Sequence, residues 1–158
     1  MDAILDKTYR LATSVQVGKF TVVVADSSVY VDGCQVPAAA NAAIPLGVAQ
    51  ESIIPDAIAD YKSGQYSIVS GTAWPTNSIP ASAAGRNVRV RREGITHAVA
   101  SGIIARGDRC NVADSQGRIK TINESAGTVV YEVCEAEEAA AVAGDVIRVR
   151  LTLITRKA

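Results

Sequence analysis

Parts of the second half of the chain alternate apolar and polar residues, a pattern typical of strands with one buried and one solvated face. The alternation is clear at 87–92 (NVRVRR), 95–99 (ITHAV) and 146–154 (VIRVRLTLI). The apolar positions change from even to odd numbers between the first two segments. We therefore predict a turn or bulge at Glu93-Gly94 that resets the phase.

Short runs of β-branched residues indicate strands in the first half as well, at 20–24 (FTVVV), 29–31 (VYV) and 34–36 (CQV). Asp32-Gly33 separates the last two runs. Asp-Gly between apolar runs is a strong hairpin signal, because glycine accepts the positive φ of a type I′ turn. The pattern predicts a three-stranded meander with its second turn at Asp32-Gly33.

Further strands are predicted at 46–49, 66–69 and 128–134, together with a hairpin over 109–122. In that hairpin, Asp114 to Gly117 supply the turn residues. The total of about nine to eleven short strands favours a mainly β fold, an antiparallel barrel or a sandwich.

One helix and one long loop are predicted within this strand pattern. The segment 55–64 (PDAIADYKSG) opens with proline and aspartate and closes with lysine and glycine, in the order typical of helix ends. Residues 64–85 are rich in Ser, Pro, Gly and Asn and include Trp74, which predicts a long loop. Loops of this length in a compact domain are usually functional or mobile. We expect a single domain over 18–158 with at most one or two short helices.

The first seventeen residues have no clean period, so a short helix and an extended arm both remain open. Ile4, Leu5, Tyr9 and Leu11 have no evident partner within the domain. We interpret 1–17 as an N-terminal arm whose apolar side chains are available to another protein.

Composition narrows the class of protein. Apolar residues make up 48% of the 158, and the formal net charge is zero, so the chain is globular and lacks the positive field that nucleic-acid binding requires. The three cysteines, Cys34, Cys110 and Cys134, are odd in number and form no CxxC pair, which favours reduced thiols in a cytoplasm. The sequence contains neither a signal-peptide pattern nor a run of 18 apolar residues, so we expect no membrane association.

The tripeptide Arg106-Gly107-Asp108 also occurs in cell-adhesion ligands, but a similar segment later in the sequence suggests another role. The Gly-Asp pair recurs as Gly144-Asp145, again just before a predicted strand. Glycine accepts a positive φ and aspartate caps a nearby backbone N–H, so both pairs are interpreted as turns.

The candidates for catalysis are weak. His97 and Ser101 lack the GxSxG elbow of a hydrolase, and the acidic cluster at Glu135, Glu137 and Glu138 is more typical of a solvated face than of an acid–base pair. We expect no metal site, no nucleotide cradle and no enzyme activity. Arginine pairs lie at 89 and 91 and at 148 and 150; if their strands pair, they need acidic partners or a solvated face.

Three segments of the sequence occur in the same order as in a known family: 45–49 (PLGVA), 102–119 (GIIARGDRCNVADSQGRI) and 143–151 (AGDVIRVRL). In this order they resemble the small capsid decoration proteins, or cement proteins, of tailed bacteriophages, over Gly18 to Leu151. The chain departs from the family in its longer 51–85 segment and in a cysteine at position 110, where an aliphatic residue is usual.

The resemblance implies a small, mostly β protein, commonly trimeric, that binds the outside of an assembled capsid where major capsid protein subunits meet. It implies a virion protein made in the host bacterial cytoplasm, with no catalytic residues and no cofactor. The side chains expected to contact the capsid are Ile4, Leu5, Tyr9, Leu11 and Trp74.

Two other classes of function remain open. One is a β module that carries a ligand or a prosthetic group on a lysine near a hairpin, for which Lys120 is the candidate. The other is an enzyme built on a β-barrel, which needs a concave site with convergent polar groups.

Overall fold

The computed structural model of the protein describes residues 4–12, 17–52 and 85–157, and these residues form strands, turns and bends without a helix. The mainly β prediction is confirmed. The helix predicted at 55–64, the strand at 66–69, Trp74 and the loop up to residue 84 lie outside the described residues. The strands are β1 (Leu5–Leu11), β2 (Val22–Ala25), β3 (Gly33–Gln35), β4 (Pro45–Ala49), β5 (Asn87–Glu93), β6 (Ile95–Val99), β7 (Arg109–Val112), β8 (Ile119–Thr121), β9 (Val129–Ala136) and β10 (Val146–Lys157).

The strands form two sheets. The first is a closed barrel in the order β1-β3-β2-β4-β5, sealed by antiparallel pairing of β1 with β5. Its β1–β3 contact is parallel, and its other pairs are antiparallel. The second is a five-stranded antiparallel sheet in the order β6-β10-β9-β7-β8.

The alternation in the sequence accounts for the best-defined strands. Val88 and Val90 of β5 are fully buried, and so is Val149 of β10, with Ile147 nearly so. The arginines between them lie on the opposite face, half-buried or exposed. One face of each strand therefore contributes to a core, as the period of two predicts.

Each sheet has its own apolar core, and the barrel contributes to both. Val22 and Val48 belong to barrel strands but pack in the cluster under the second sheet. The Val22 N–H donates a hydrogen bond of 2.8 Å to the Gly117 carbonyl. Gly117 has φ +73°, and a Cβ there would overlap the Val22 carbonyl oxygen, so glycine permits this junction.

A second link between the sheets comes from a side chain that the sequence pattern does not single out. Asn41, in the connection between β3 and β4, accepts a 2.8 Å hydrogen bond from the Tyr131 N–H and donates one of 2.8 Å to the Val129 carbonyl. Its amide thereby pairs with the backbone of β9 as a neighbouring strand would.

The structure corrects the interpretation of 1–17 as a separate arm, because residues 5–11 are strand β1 of the barrel. Tyr9 and Leu11 are buried in the barrel core, together with Val88 and Val90 of β5. These two side chains therefore have partners within the domain. The partners come from strands distant in sequence, which local periodicity does not reveal.

The predicted meander is also wrong. Residues 29–31 form no strand, and β2 and β3 make one hairpin across the loop between them. Gly33 lies in β3 without a positive φ; a Cβ at this position would overlap the Asp26 carbonyl oxygen. Glycine is required here for close backbone approach and not for a type I′ turn. The Asp32 carbonyl accepts a 2.9 Å hydrogen bond from the Arg10 N–H of β1.

The predicted turn between β5 and β6 is present, with Gly94 at φ +88°. The expected change of phase does not occur, because the buried side chains of β6 are Thr96 and Ala98, on the same parity as those of β5. Thr96 is satisfied by a buried hydrogen bond with the Gln50 side chain.

Candidate interaction surface

Two loops that adjoin β7 and β9 of the second sheet run side by side. Residues 100–108 and 136–145, which we call the paired loops, are joined antiparallel by six backbone hydrogen bonds. Ile104 and Ala140 exchange two of these, at 3.1 and 2.9 Å. The paired loops extend the β7–β9 ladder beyond the ends of the strands.

The first Gly-Asp pair forms the turn that leads from the paired loops into β7. Gly107 has φ +88°, and the Asp108 carboxylate accepts a 3.0 Å hydrogen bond from the Ala105 N–H. The same carboxylate oxygen accepts a 2.7 Å hydrogen bond from the Thr121 hydroxyl of β8. Arg106 is exposed and takes no part in these bonds. The geometry accounts for the tripeptide as a capped turn.

The second Gly-Asp pair repeats this geometry before β10. Gly144 has φ +94°, and the Asp145 carboxylate accepts hydrogen bonds from the N–H groups of Ala141 and Val142, at 2.8 and 3.0 Å. In both turns the aspartate caps the residue three positions before it. The predicted turn at Gly117 has φ +73° and donates its N–H to the Asp114 carbonyl at 3.1 Å.

The paired loops present apolar side chains to solvent. Ile104 and Ala140 are buried, but Ile103 is 80% exposed and Val142 is 60% exposed. Exposed alanines accompany them, where the outer face of an antiparallel sheet is usually polar. We call this surface the apolar patch; it consists of Ile103, Ala105, Ala139, Ala141 and Val142.

A groove of about 240 Å³ adjoins the apolar patch, lined by Arg106, Gly107, Glu135, Ala136, Glu137, Arg148 and Arg150. Within it, Glu137 pairs with Arg148 at 3.1 Å and with Arg150 at 3.0 Å. The acidic cluster and the arginine pair of β10 thus neutralise each other. Arg106 and Glu135 form no ion pair with any other described residue.

The arginine pair of β5 also has an acidic partner in the same chain, although β5 and β10 do not pair with each other. Arg91 makes a two-pronged contact with the Asp6 carboxylate of β1, at 2.7 and 3.1 Å, and Arg89 lies 4.0 Å from it. The hydrogen bonds from Arg91 hold the pKa of Asp6 below its usual value.

A buried charge lies under the outer face of the second sheet, where the sequence pattern does not predict one. Glu132 of β9 is fully buried and accepts a 3.0 Å hydrogen bond from the Thr152 hydroxyl. Its other carboxylate oxygen lies 3.0 Å from Arg156 Nε, though not aligned for a hydrogen bond, and 3.6 Å from Arg109. The only sequence signal is a charged residue between the apolar residues Tyr131 and Val133 of the strand.

Asn111 of β7 lies beside Glu132 in the register and is likewise fully buried. Its amide nitrogen donates a 2.8 Å hydrogen bond to Glu124, which also pairs with Lys120 at 2.9 Å. Lys120, the candidate carrier lysine, is thus the middle residue of β8, is held in an ion pair with Glu124 and is not displayed on a hairpin tip.

The four predicted capsid-contact residues that the structure describes lie on or next to β1 but do not form one exposed surface. Ile4 and Leu5 are exposed, at 62% and 45%, near the start of β1. Tyr9 and Leu11 are buried in this chain's own core, which corrects their assignment to a contact surface. Trp74 lies outside the described residues.

Of the side chains considered for catalysis and metal binding, Cys110 and Cys134 lie directly opposite each other in the β7–β9 register, and His97 lies on β6. His97 packs against Phe20, with ring centroids 5.3 Å apart. Across the described part of the chain, no group of three His, Cys, Asp or Glu side chains could hold a metal ion. All three cysteines are free and buried, and burial raises the pKa of Cys34 to about 12. Residues 4–12, 17–52 and 85–157 include no helix that could span a membrane.

Comparison with known proteins shows a likeness in fold. No protein-family model matches the chain, and no curated protein matches it in sequence. A solved structure does match: the N base of the head fiber protein gp8.5 of bacteriophage phi29. The likeness covers 99% of this chain and 100% of that one, with a TM-score of 0.58 and 14% identity. The two chains share a fold.

Proposed function

We propose that the protein is a structural component of a phage virion that binds the outer surface of the assembled capsid, where it bridges major capsid protein subunits without catalysis. The observation that carries this proposal is the end-to-end likeness to the base of a phage head fiber. The segments 45–49, 102–119 and 143–151, which occur in the same order as in capsid decoration proteins, are independent support, because this resemblance is in the sequence and not in the fold.

The described surface suits such a role. The exposed pair Ile4 and Leu5 lies at the start of β1 on ordered backbone, so binding it costs little conformational entropy. Several copies held in one oligomer, three in the proteins it resembles, would bind together and raise the effective concentration of each contact. Binding only the assembled capsid would stabilise it by roughly 2.7 kcal/mol per site at a hundredfold excess over the dissociation constant.

The test is to add purified protein to capsids of the same phage that lack it, and then to follow DNA or subunit release on heating. The full chain is expected to bind and to raise the temperature of release. Failure to bind under any solution condition that keeps both components folded would overturn the proposal.

The contribution of the N-terminal contact is best tested by point substitution. A chain beginning at Gly18 would lack β1 and open the barrel, so lost binding would not be informative. Ile4→Asp leaves the β1 pairing intact and is expected to weaken capsid binding about tenfold through loss of an apolar contact. Val31→Asp, at a fully exposed position in the β2–β3 loop, is the matched control and should bind as the unchanged chain does.

A further inference from the structure

The exposed face of the paired loops carries the apolar patch, and two charged side chains with no ion pair to another described residue adjoin it, Arg106 in the first loop and Glu135 near the end of β9. From this combination we infer that the face is a self-association surface, on which the apolar patch packs against a second copy and Arg106 of one copy pairs with Glu135 of the other. The inference does not rest on the proposed function, because it concerns contacts between copies of this chain alone.

The apolar part of the argument concerns residues that have no reason to be exposed in an isolated subunit. Alternation places Ile104 and Ala140 in the core and their neighbours on the opposite face. On that opposite face, the sequence has isoleucine and alanines where solvent would favour polar side chains. Small side chains around Ile103 allow two backbones to approach closely, which suits a packed interface.

The backbone of the paired loops is also rigid. Six backbone hydrogen bonds hold the paired loops together, and the carboxylates of Asp108 and Asp145 cap their turns. A surface that is already ordered loses little conformational freedom when it docks. The face therefore resembles a preformed interface more than an exposed connection.

The charged side chains of this surface indicate that its partner is a second copy of the chain. Arg148 and Arg150 are matched by Glu137 within the groove, whereas Arg106 and Glu135 have no partner among the described residues. Arg109 and Arg150 lie directly opposite Glu135 in the β7–β9 and β9–β10 registers, but Arg109 approaches Glu132 and Arg150 pairs with Glu137. A surface with one unmatched charge of each sign is complementary to itself, which is the requirement of a closed symmetric oligomer.

The experiment is sedimentation of the full chain over a range of concentrations, without capsids. We expect a closed oligomer whose dissociation constant rises about tenfold in Ile103→Asp. The milder Ile103→Ser should shift it in the same direction. Val29→Asp, at a similarly exposed valine in the β2–β3 loop, is the apolar control and should leave it unchanged.

Charge reversal tests the pairing itself. Arg106→Glu and Glu135→Arg should each weaken association, because each places like charges opposite one another, and the double variant should regain most of the loss. Lys157→Glu, a reversal at the exposed end of β10, is the control and should have no effect. Thermal unfolding of each variant verifies that it is folded.

A strictly monomeric chain would overturn the inference, and so would an oligomer unaffected by the single reversals. A double variant no better than the worse single variant would refute the Arg106–Glu135 pairing. None of these results depends on capsid binding, so failure here is distinguishable from failure of the proposed function.

Discussion

The barrel and the second sheet are held together in different ways. In the sheet, seven register pairs join β9 to β10 and five join β10 to β6, so long ladders carry much of the structure. In the barrel, β2 pairs with β3 over two positions and β4 with β5 over two. The barrel depends on closure and on its apolar core, because no single pairing within it is long except β1 with β5.

The barrel and the second sheet also differ in how their charged side chains are arranged. In the second sheet, Arg148 pairs with Glu137, and Arg109 and Arg156 approach the fully buried Glu132. In the barrel, the closing pair β1–β5 is reinforced by the Asp6 contact with Arg91. We infer that loss of one interaction should open the barrel locally, whereas the sheet should lose stability as a unit.

The largest expected effect is at the junction of the two regions. Gly117→Ala should destabilise the protein by about 2–4 kcal/mol, since it adds the strain of a positive φ to a clash with the Val22 backbone. Denaturant unfolding measures the loss. Gly144→Ala is the matched control: φ is also positive, but nothing lies within 4 Å of the added Cβ, so about 1 kcal/mol is expected. Equal losses in the two variants would show that the junction is not tightly packed.

The next effect concerns the sheet alone. Glu132→Ala should cost about 2–3 kcal/mol, less than a fully buried pair, because Arg109 and Arg156 are 51% and 36% exposed and can turn to solvent. Glu138→Ala removes a half-exposed carboxylate that lies 3.8 Å from the Arg148 guanidinium and accepts a 3.0 Å hydrogen bond from the Arg148 N–H, and it should cost only about 0.5–1 kcal/mol. Urea unfolding of both variants makes the comparison. A loss for Glu132→Ala no larger than that for Glu138→Ala would mean that the buried charge is not an organising element of the sheet.

The sequence predicts one region better than the other, and the reason is physical. Ile147 and Val149 could be assigned to a core face because a long strand repeats its alternation over many residues. Tyr9 and Leu11 could not, since β1 buries few positions and its partners β3 and β5 are distant in the chain. The closure of a barrel depends on contacts between strands that are distant in sequence, and local patterns do not reveal such contacts.

The site was predictable in part for similar reasons. The Gly-Asp turns are local, so their chemistry could be inferred from sequence, and the structure places a carboxylate cap in each. Glu132 was missed because the arginines beside it come from β7 and β10, which meet only in the folded sheet. Gly33 shows a further ambiguity: a glycine required for close approach looks the same in sequence as one required for positive φ.

A smaller effect separates the two Gly-Asp turns. Asp108→Ala should cost about 1–2 kcal/mol, as for loss of a helix cap, because its carboxylate bonds both the Ala105 N–H and the Thr121 hydroxyl. Asp145→Ala should cost about 0.5–1 kcal/mol, since it caps only backbone groups within its own loop. At a protein concentration where the chain is monomeric, Arg106→Ala should leave the melting temperature unchanged. A large shift from Arg106→Ala would contradict the interpretation of the tripeptide as turn chemistry.

The smallest effect lies in the barrel and depends on pH. Arg91 lowers the pKa of Asp6 in the folded protein, so the Asp6 carboxylate contributes stability above its unfolded pKa of 3.8 and loses that contribution as pH falls through the folded value. At pH 7, Asp6→Asn should cost about 0.5–1 kcal/mol, the range of a partly exposed pair with good geometry. The difference between the two chains should shrink below about pH 4 and vanish at lower pH, where both side chains are uncharged. Because Asp6 joins β1 to β5, amide hydrogen exchange at pH 7 should quicken in β1 of the variant while β9 and β10 keep their protection. Equal acceleration in the second sheet would show that the barrel and the sheet unfold as one unit, and that the barrel does not open locally.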